Sequence, residues 1–114
     1  MTLSQQQQRF LPLLAKLIGF AYENGYTLTA GELYRTPEQA AFNAASGKGI
    51  SNSLHTQRLA VDLNIFQAGV YLASGPGYKV LGDYWKTLDP DCAWGGDFHK
   101  PDEDHYSLSW GGVR

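Results

Sequence analysis

Leu59-Ala60-Val61-Asp62-Leu63-Asn64-Ile65-Phe66 is the stretch on which the fold turns. Its apolar residues alternate, so Leu59, Val61, Leu63 and Ile65 point to one side of a strand and Ala60, Asp62 and Asn64 to the other. The last segment, His105 to Trp110, alternates in the same way, with His105, Ser107 and Ser109 on one face and Tyr106, Leu108 and Trp110 on the other. Two such strands, each with one polar face, can pair antiparallel and bring Asp62 and His105 together. Ala60 is small, which keeps the space beside the Asp62 carboxylate open.

Upstream, the residues from Ser4 to about Asn24 place Phe10, Leu14, Leu17, Ile18 and Ala21 three or four apart, the stripe of an amphipathic helix. Ser4 with Gln7 reads as its capping box, Pro12 predicts a kink or a restart, and the glutamine run reads as a solvated first turn. Tyr26 to Tyr34 reads as a short strand. Thr36-Pro37 opens a helix through Gln39, Ala40, Ala41, Phe42 and Ala45, which dissolves at Ser46-Gly47-Lys48-Gly49. The glycines of that loop lack the spacing of a phosphate loop. Further on, Ser74-Gly75-Pro76-Gly77 reads as a turn, Val80 to Leu88 as a helix ended by Asp89-Pro90, and Trp94-Gly95-Gly96-Asp97-Phe98 as a return to the sheet. The paired glycines there permit a bulge or a close approach of backbone.

The 114 residues suit a single domain over positions 1–114, large enough for a core without disulfides. The single cysteine, Cys92, has no intramolecular partner. A net charge of -2 with scattered Lys and Arg offers no basic field for nucleic acid, and no apolar run approaches a membrane span. The first residues carry neither a basic nor a continuous apolar signal region, so synthesis in the cytoplasm without a signal peptide is expected.

Within this frame three side chains converge. His55, on the loop before the strand, Asp62 on the strand's polar face and His105 on the matching face of the last strand form a two-imidazole, one-carboxylate set. Such a set suits Zn2+ and leaves a fourth position for water or substrate. Asp102, three residues before His105, is the candidate base for taking a proton from an attacking water, with Glu103 and Asp104 as rivals. Alternation would point Asp104 away from His105. The plainer reading treats His55 and Asp62 as a surface pair, Arg35 as a partner of Glu32 or Glu38, His99 as a solvent-facing histidine, and Trp85, Trp94 and Trp110 as core or cleft wall. Asp97 is expected to shape its turn or to orient a ligand histidine.

Five motifs occur in order along nearly the whole chain: Gly31-Glu32-Leu33-Tyr34-Arg35-Thr36 with Glu38-Gln39; Ser53-x-His55 with Leu59-Ala60-Val61-Asp62-Leu63-Asn64; Leu81-Gly82-x-Tyr84-Trp85; Trp94-Gly95-Gly96-x-Phe98; and Asp102-x-x-His105-Tyr106-Ser107-Leu108. With them the sequence resembles the zinc D-alanyl-D-alanine carboxypeptidases and L-alanyl-D-glutamate endopeptidases that cut peptidoglycan stem peptides, especially the small phage endolysin branch. The resemblance implies an α+β fold of the Hedgehog/DD-peptidase kind, a small antiparallel sheet with helices packed on one face and a zinc cleft on the other. It implies His55, Asp62 and His105 as zinc ligands, Asp102 as catalytic base, Arg35 as the cation that polarises the scissile carbonyl, and Ser53 as a residue near the substrate. Arg58 stands where many members carry glycine.

The expected function is L-alanyl-D-glutamate endopeptidase activity of a phage or prophage lysis protein. It would act as a monomer on the peptidoglycan stem in the host periplasm, reaching the wall after release. The alternatives are a D-alanyl-D-alanine carboxypeptidase and a zinc-stabilised binding module without turnover.

Overall fold

The computed structural model describes residues 1–50 and 52–114. The alternating stretch becomes strand β2 (Ala60–Gln67), which pairs antiparallel with β1 (Tyr26–Ala30) along one edge. Its other edge pairs with β3 (Val70–Leu72) at one end and β5 (His105–Leu108) at the other, and β5 in turn pairs with β4 (Cys92–Trp94). The sheet order is β1-β2-β5-β4, with β3 beside β2. The register sets Asp62 opposite His105 and Ala60 opposite Ser107. Directly opposed residues share a face, so the pairing expected from alternation is the one formed.

The intervening pair, Val61 and Tyr106, turns to the other face and into the core with Leu63, Ile65 and Leu108. Helix α1 (Leu3–Glu23) brings Phe10, Leu17 and Ala21 to that core, and helix α3 (Pro76–Leu88) brings Tyr78, Leu81 and Trp85. Trp85 is wholly buried, edge-on to Phe10 and Tyr106, and its indole N–H donates to the carbonyls of Ala93 and Ser107. A buried indole with its donor satisfied ties α3 to β4 and β5. Trp94 is buried and Trp110 half-buried against the same core, as the core or cleft-wall reading requires. Helix α2 (Pro37–Ala45), capped by Thr36 through Gln39 N–H, gives only Ala40 to the interior. The architecture is α+β, with α1 and α3 packed against the sheet.

Several boundaries differ from the sequence reading. The α1 capping box is Thr2 with Gln5, not Ser4 with Gln7, and the helix runs through Pro12 as one element. Pro12 and Gln8 are exposed, so the Gln8 carbonyl that loses its donor faces water. The glutamine run is not simply solvated. Gln6 is buried, donating to the Ser109 carbonyl at 2.9 Å and to Asp91 at 3.2 Å while accepting from Arg9, and Gln7 donates to the Gln57 carbonyl. Arg9 also pairs with Asp89, which locks α1 to the end of α3.

Strand β1 stops at Ala30, short of Tyr34, and α3 begins at Pro76, inside the expected turn, because Pro suits the first helical position. The hairpin of β2 and β3 had no counterpart in the sequence reading. Its turn residues Ala68 and Gly69 both take positive φ, 51° and 80°, where an Asn-Gly or Asp-Gly pair would have signalled it.

Candidate metal centre

One irregular segment, Gly31 to Arg35, holds the half of the site that carries Asp62 and His55. Gly31 N–H donates to the Asp62 carbonyl at 2.8 Å, and Asp62 N–H donates to the Glu32 carbonyl at 2.9 Å. Farther along, Arg35 N–H donates to the His55 carbonyl at 3.2 Å. The Leu33 carbonyl lies 3.1 Å from His55 Nδ1. A carbonyl only accepts, so Nδ1 carries the proton and Nε2 keeps its lone pair. This is how a metal-ligating imidazole is usually oriented.

His55 itself sits in a short 3₁₀ helix, Leu54–Gln57, capped by Ser53, whose hydroxyl accepts from His55 N–H at 3.3 Å. Arg58 ends that helix at φ 55°, and its guanidinium lies 4.1 Å from the Tyr34 ring centre. Left-handed backbone accounts for a glycine preference at this position. Here stacking on Tyr34 accompanies the strained residue.

The second half is built by Trp94-Gly95-Gly96. The Trp94 ring lies against Gly82 of α3 and Gly96, at both of which a Cβ would overlap the indole, and its N–H donates to the Glu103 carbonyl at 2.7 Å. Gly95 accepts from Asp102 N–H at 2.8 Å, and Asp102 in turn accepts from His105 N–H at 3.1 Å. A Cβ on Gly95 would overlap the Asp102 carbonyl and come within 2.8 Å of the His105 Cβ. The close approach anticipated for the paired glycines is real. Gly95→Ala is therefore expected to destabilise the fold by about 1–3 kcal/mol through overpacking, and to weaken metal binding with it. Thermal melts with and without added zinc test this.

His55, Asp62 and His105 each place a ligand atom within 4.8 Å of the others. His55 and His105 are buried at 2% and 5% exposure, with rings edge-on at 5.2 Å between centres. Asp62 Oδ1 is 3.3 Å from His55 Nε2 and 3.9 Å from His105 Nδ1. Yet Asp62 Oδ1 and His105 Nε2 are both buried without a hydrogen-bond partner. A buried carboxylate oxygen left unpaired beside two imidazole nitrogens is costly in a protein alone and is what a cation would satisfy. The donor set, two imidazoles and a carboxylate, fits zinc.

Titration follows the same geometry. Burial opposes a charged His55, but the Asp62 carboxylate and the Leu33 carbonyl outweigh it and its pKa is raised. His105, deeply buried with His55 and Arg35 nearby, is pushed down to about 3. Desolvation, followed by the neighbouring Asp104 and Asp62 carboxylates, pushes Asp102 up to about 7. Asp104 therefore does not point away from the site. Its carboxylate, with those of Asp62 and Asp102, falls within a 4.8 Å cluster, because β5 begins only at His105 and alternation does not extend into the turn before it.

Arg35 and Ser53 line the same cleft, of about 600 Å³, as His55, His105 and Asp102. Arg35 is also paired: its Nε donates to Glu32 at 2.8 Å and its Nη2 contacts the same oxygen. Ion pairing and cleft position thus coexist. Asp97 accepts from Lys86 at 2.8 Å and pairs with no ligand histidine, and His99 is exposed on the cleft rim. Cys92 is buried and free, its thiol raised to about 12 by burial first and by the Asp89 and Asp91 charges next.

Compared with solved structures, the chain is similar to the Serratia marcescens L-Ala D-Glu endopeptidase ChiX. The TM-score is 0.69 at 19% identity, covering 93% of this chain and 85% of that one. The chain shares that fold. It is similar also to VanY, a vancomycin resistance D,D-pentapeptidase from a VanB-type resistance cassette solved in complex with Zn(II), with a TM-score of 0.61 at 20% identity, covering 88% of this chain and 70% of that one. No family model and no curated protein matches the sequence. Among the described residues no helix is long and apolar enough to cross a membrane.

Proposed function

We propose that this chain is a zinc metallopeptidase that hydrolyses an amide bond in peptidoglycan stem peptides, and that the bond is the L-alanyl-D-glutamate linkage cut by phage or prophage lysis proteins. The observation that carries the reading is the convergence of His55, Asp62 and His105, each with a ligand atom within 4.8 Å of the others, around the buried and unpartnered Asp62 Oδ1. The fold shared with two peptidases supports the general peptidase reading, while the finer choice of bond rests on the sequence motifs.

When bound, zinc supplies a Lewis acid that polarises a carbonyl and favours deprotonation of water. Asp102 would take the proton of the attacking water and return it to the leaving amine. Asp102, raised to about 7 by desolvation and by the neighbouring Asp104 and Asp62 carboxylates, would be held ionised and able to accept at neutral pH once positive charge were held at Asp62. Arg35, steadied by Glu32, faces the cleft where negative charge develops on the carbonyl oxygen. The Ser53 oxygen is used in capping His55, which leaves its hydroxyl hydrogen for a substrate carbonyl.

Mass spectrometry of muropeptides after digestion separates the possibilities. Release of whole stems at L-alanine is the expected product. Loss of terminal alanine alone would reassign the chain as a carboxypeptidase, and unchanged muropeptides would favour a zinc-stabilised binding module.

A further inference from the structure

The chain is acidic overall, with 11 Asp and Glu against 9 Lys and Arg. Its cleft is not. Arg35, Lys48, Lys100 and Arg114 line it, and Asp102 is the acidic residue on its wall. Away from the cleft the basic residues are largely committed: Arg9 pairs with Asp89, Lys79 with Asp83, Lys86 with Asp97, and Arg58 stacks on Tyr34. Within it, Arg35 is taken by Glu32. Among the described residues no carboxylate comes within ion-pair reach of Lys48, Lys100 or Arg114. Arg114 rests 5.4 Å over the Phe98 ring, which holds its charge at the rim.

Lys48 comes from the loop after α2 and Lys100 from the loop before β5, so the two cations belong to different walls of the cleft. Unpaired like charges gathered in a cleft raise the local concentration of an anionic ligand. A glutamyl residue has two carboxyl groups. When one continues the peptide chain the other stays free, next to the bond that the proposed reaction breaks.

Resting on that reading of the site, we infer that Lys48 and Lys100 form a carboxylate-recognition rim that selects stem peptides whose glutamate carboxyl is free over those in which it is amidated. Exposed charge pairs each contribute up to about a fivefold change in affinity. Two lysines contributing about threefold each, within that ceiling, multiply to a preference of about tenfold, and salt screening should erode it.

The test is calorimetric titration of the intact protein with a peptide that begins at D-glutamate, so that no bond is cut, as the free acid and as the carboxamide. The free acid should bind about tenfold more tightly at low salt. K48A/K100A should bring the two within about twofold, while K16A, which removes a charge from α1, should keep the preference. Circular dichroism confirms that the variants fold. Equal binding of both peptides, binding of neither, or a preference intact in K48A/K100A would overturn the rim. Stem hydrolysis without charge preference would remove this inference and leave the peptidase reading standing, whereas charge-selective binding without hydrolysis would do the reverse.

Discussion

Asp102→Ala should yield a folded protein that still holds about one zinc and has lost hydrolysis by ~10²–10⁴-fold, the usual contribution of a positioned general base. The backbone of Asp102, not its side chain, does the structural work at this position. Its N–H donates to the Gly95 carbonyl and its own carbonyl accepts from His105 N–H, and alanine preserves both. Removing the carboxylate also lifts the crowding of Asp62, Asp102 and Asp104, so the fold has no reason to weaken. Metal analysis and a melt on the same preparation used for the assay separate loss of chemistry from loss of structure. Full activity in this variant would remove Asp102 from the mechanism and turn attention to Asp104, its neighbour in the carboxylate cluster.

Stripping the metal should lower the melting temperature by on the order of 10 °C. A ligand present at a thousand times its Kd adds about 4 kcal/mol, and in a domain of this size each 1 kcal/mol moves the melt by several degrees. Asp62→Ala or His105→Ala should abolish the zinc-dependent rise, since three protein ligands are the minimum of such a site. The effect also has a definite pH dependence. The raised pKa of His55 means that the metal-free fold gains from its protonation below the ordinary histidine value and loses that gain as pH rises through the raised one. Zinc requires the neutral imidazole, so stabilisation by zinc runs the other way. His105, pushed down to about 3, does not compete for protons in this range. The gap between melts with zinc and with chelator should therefore widen from about pH 5 to about pH 8 as His55 loses its proton. A gap that is constant or narrows as pH rises would contradict the ligand assignment.

The two strands that carry Asp62 and His105 were legible because each has one apolar and one polar face, and a period of two leaves little freedom in how they pair. The turn before His105 was not. Alternation carried back onto Asp104 gave the wrong orientation because the strand starts one residue later. The buried role of Gln6 was hidden for a related reason: its partners Asp91 and Ser109 lie more than eighty residues away, and nothing in a run of glutamines marks which one turns inward. The β2–β3 hairpin turns at Ala68-Gly69, where the sequence lacks the usual turn pair. The support of His55 by the Leu33 carbonyl is a backbone contact and leaves no trace in residue type. Glu32, by contrast, could be read as a partner of Arg35 from spacing alone. What spacing does not give is that the same arginine also lines the cleft.

Titration of metal-stripped protein with zinc, with stem-peptide hydrolysis followed at each step, shows whether His55, Asp62 and His105 hold a metal on which hydrolysis depends. Activity should rise in proportion to added zinc, level off at about one equivalent, and stay absent at every step in His105→Ala. Hydrolysis by the stripped protein, or a full response to zinc in His105→Ala, would rule out a catalytic zinc held by these three residues.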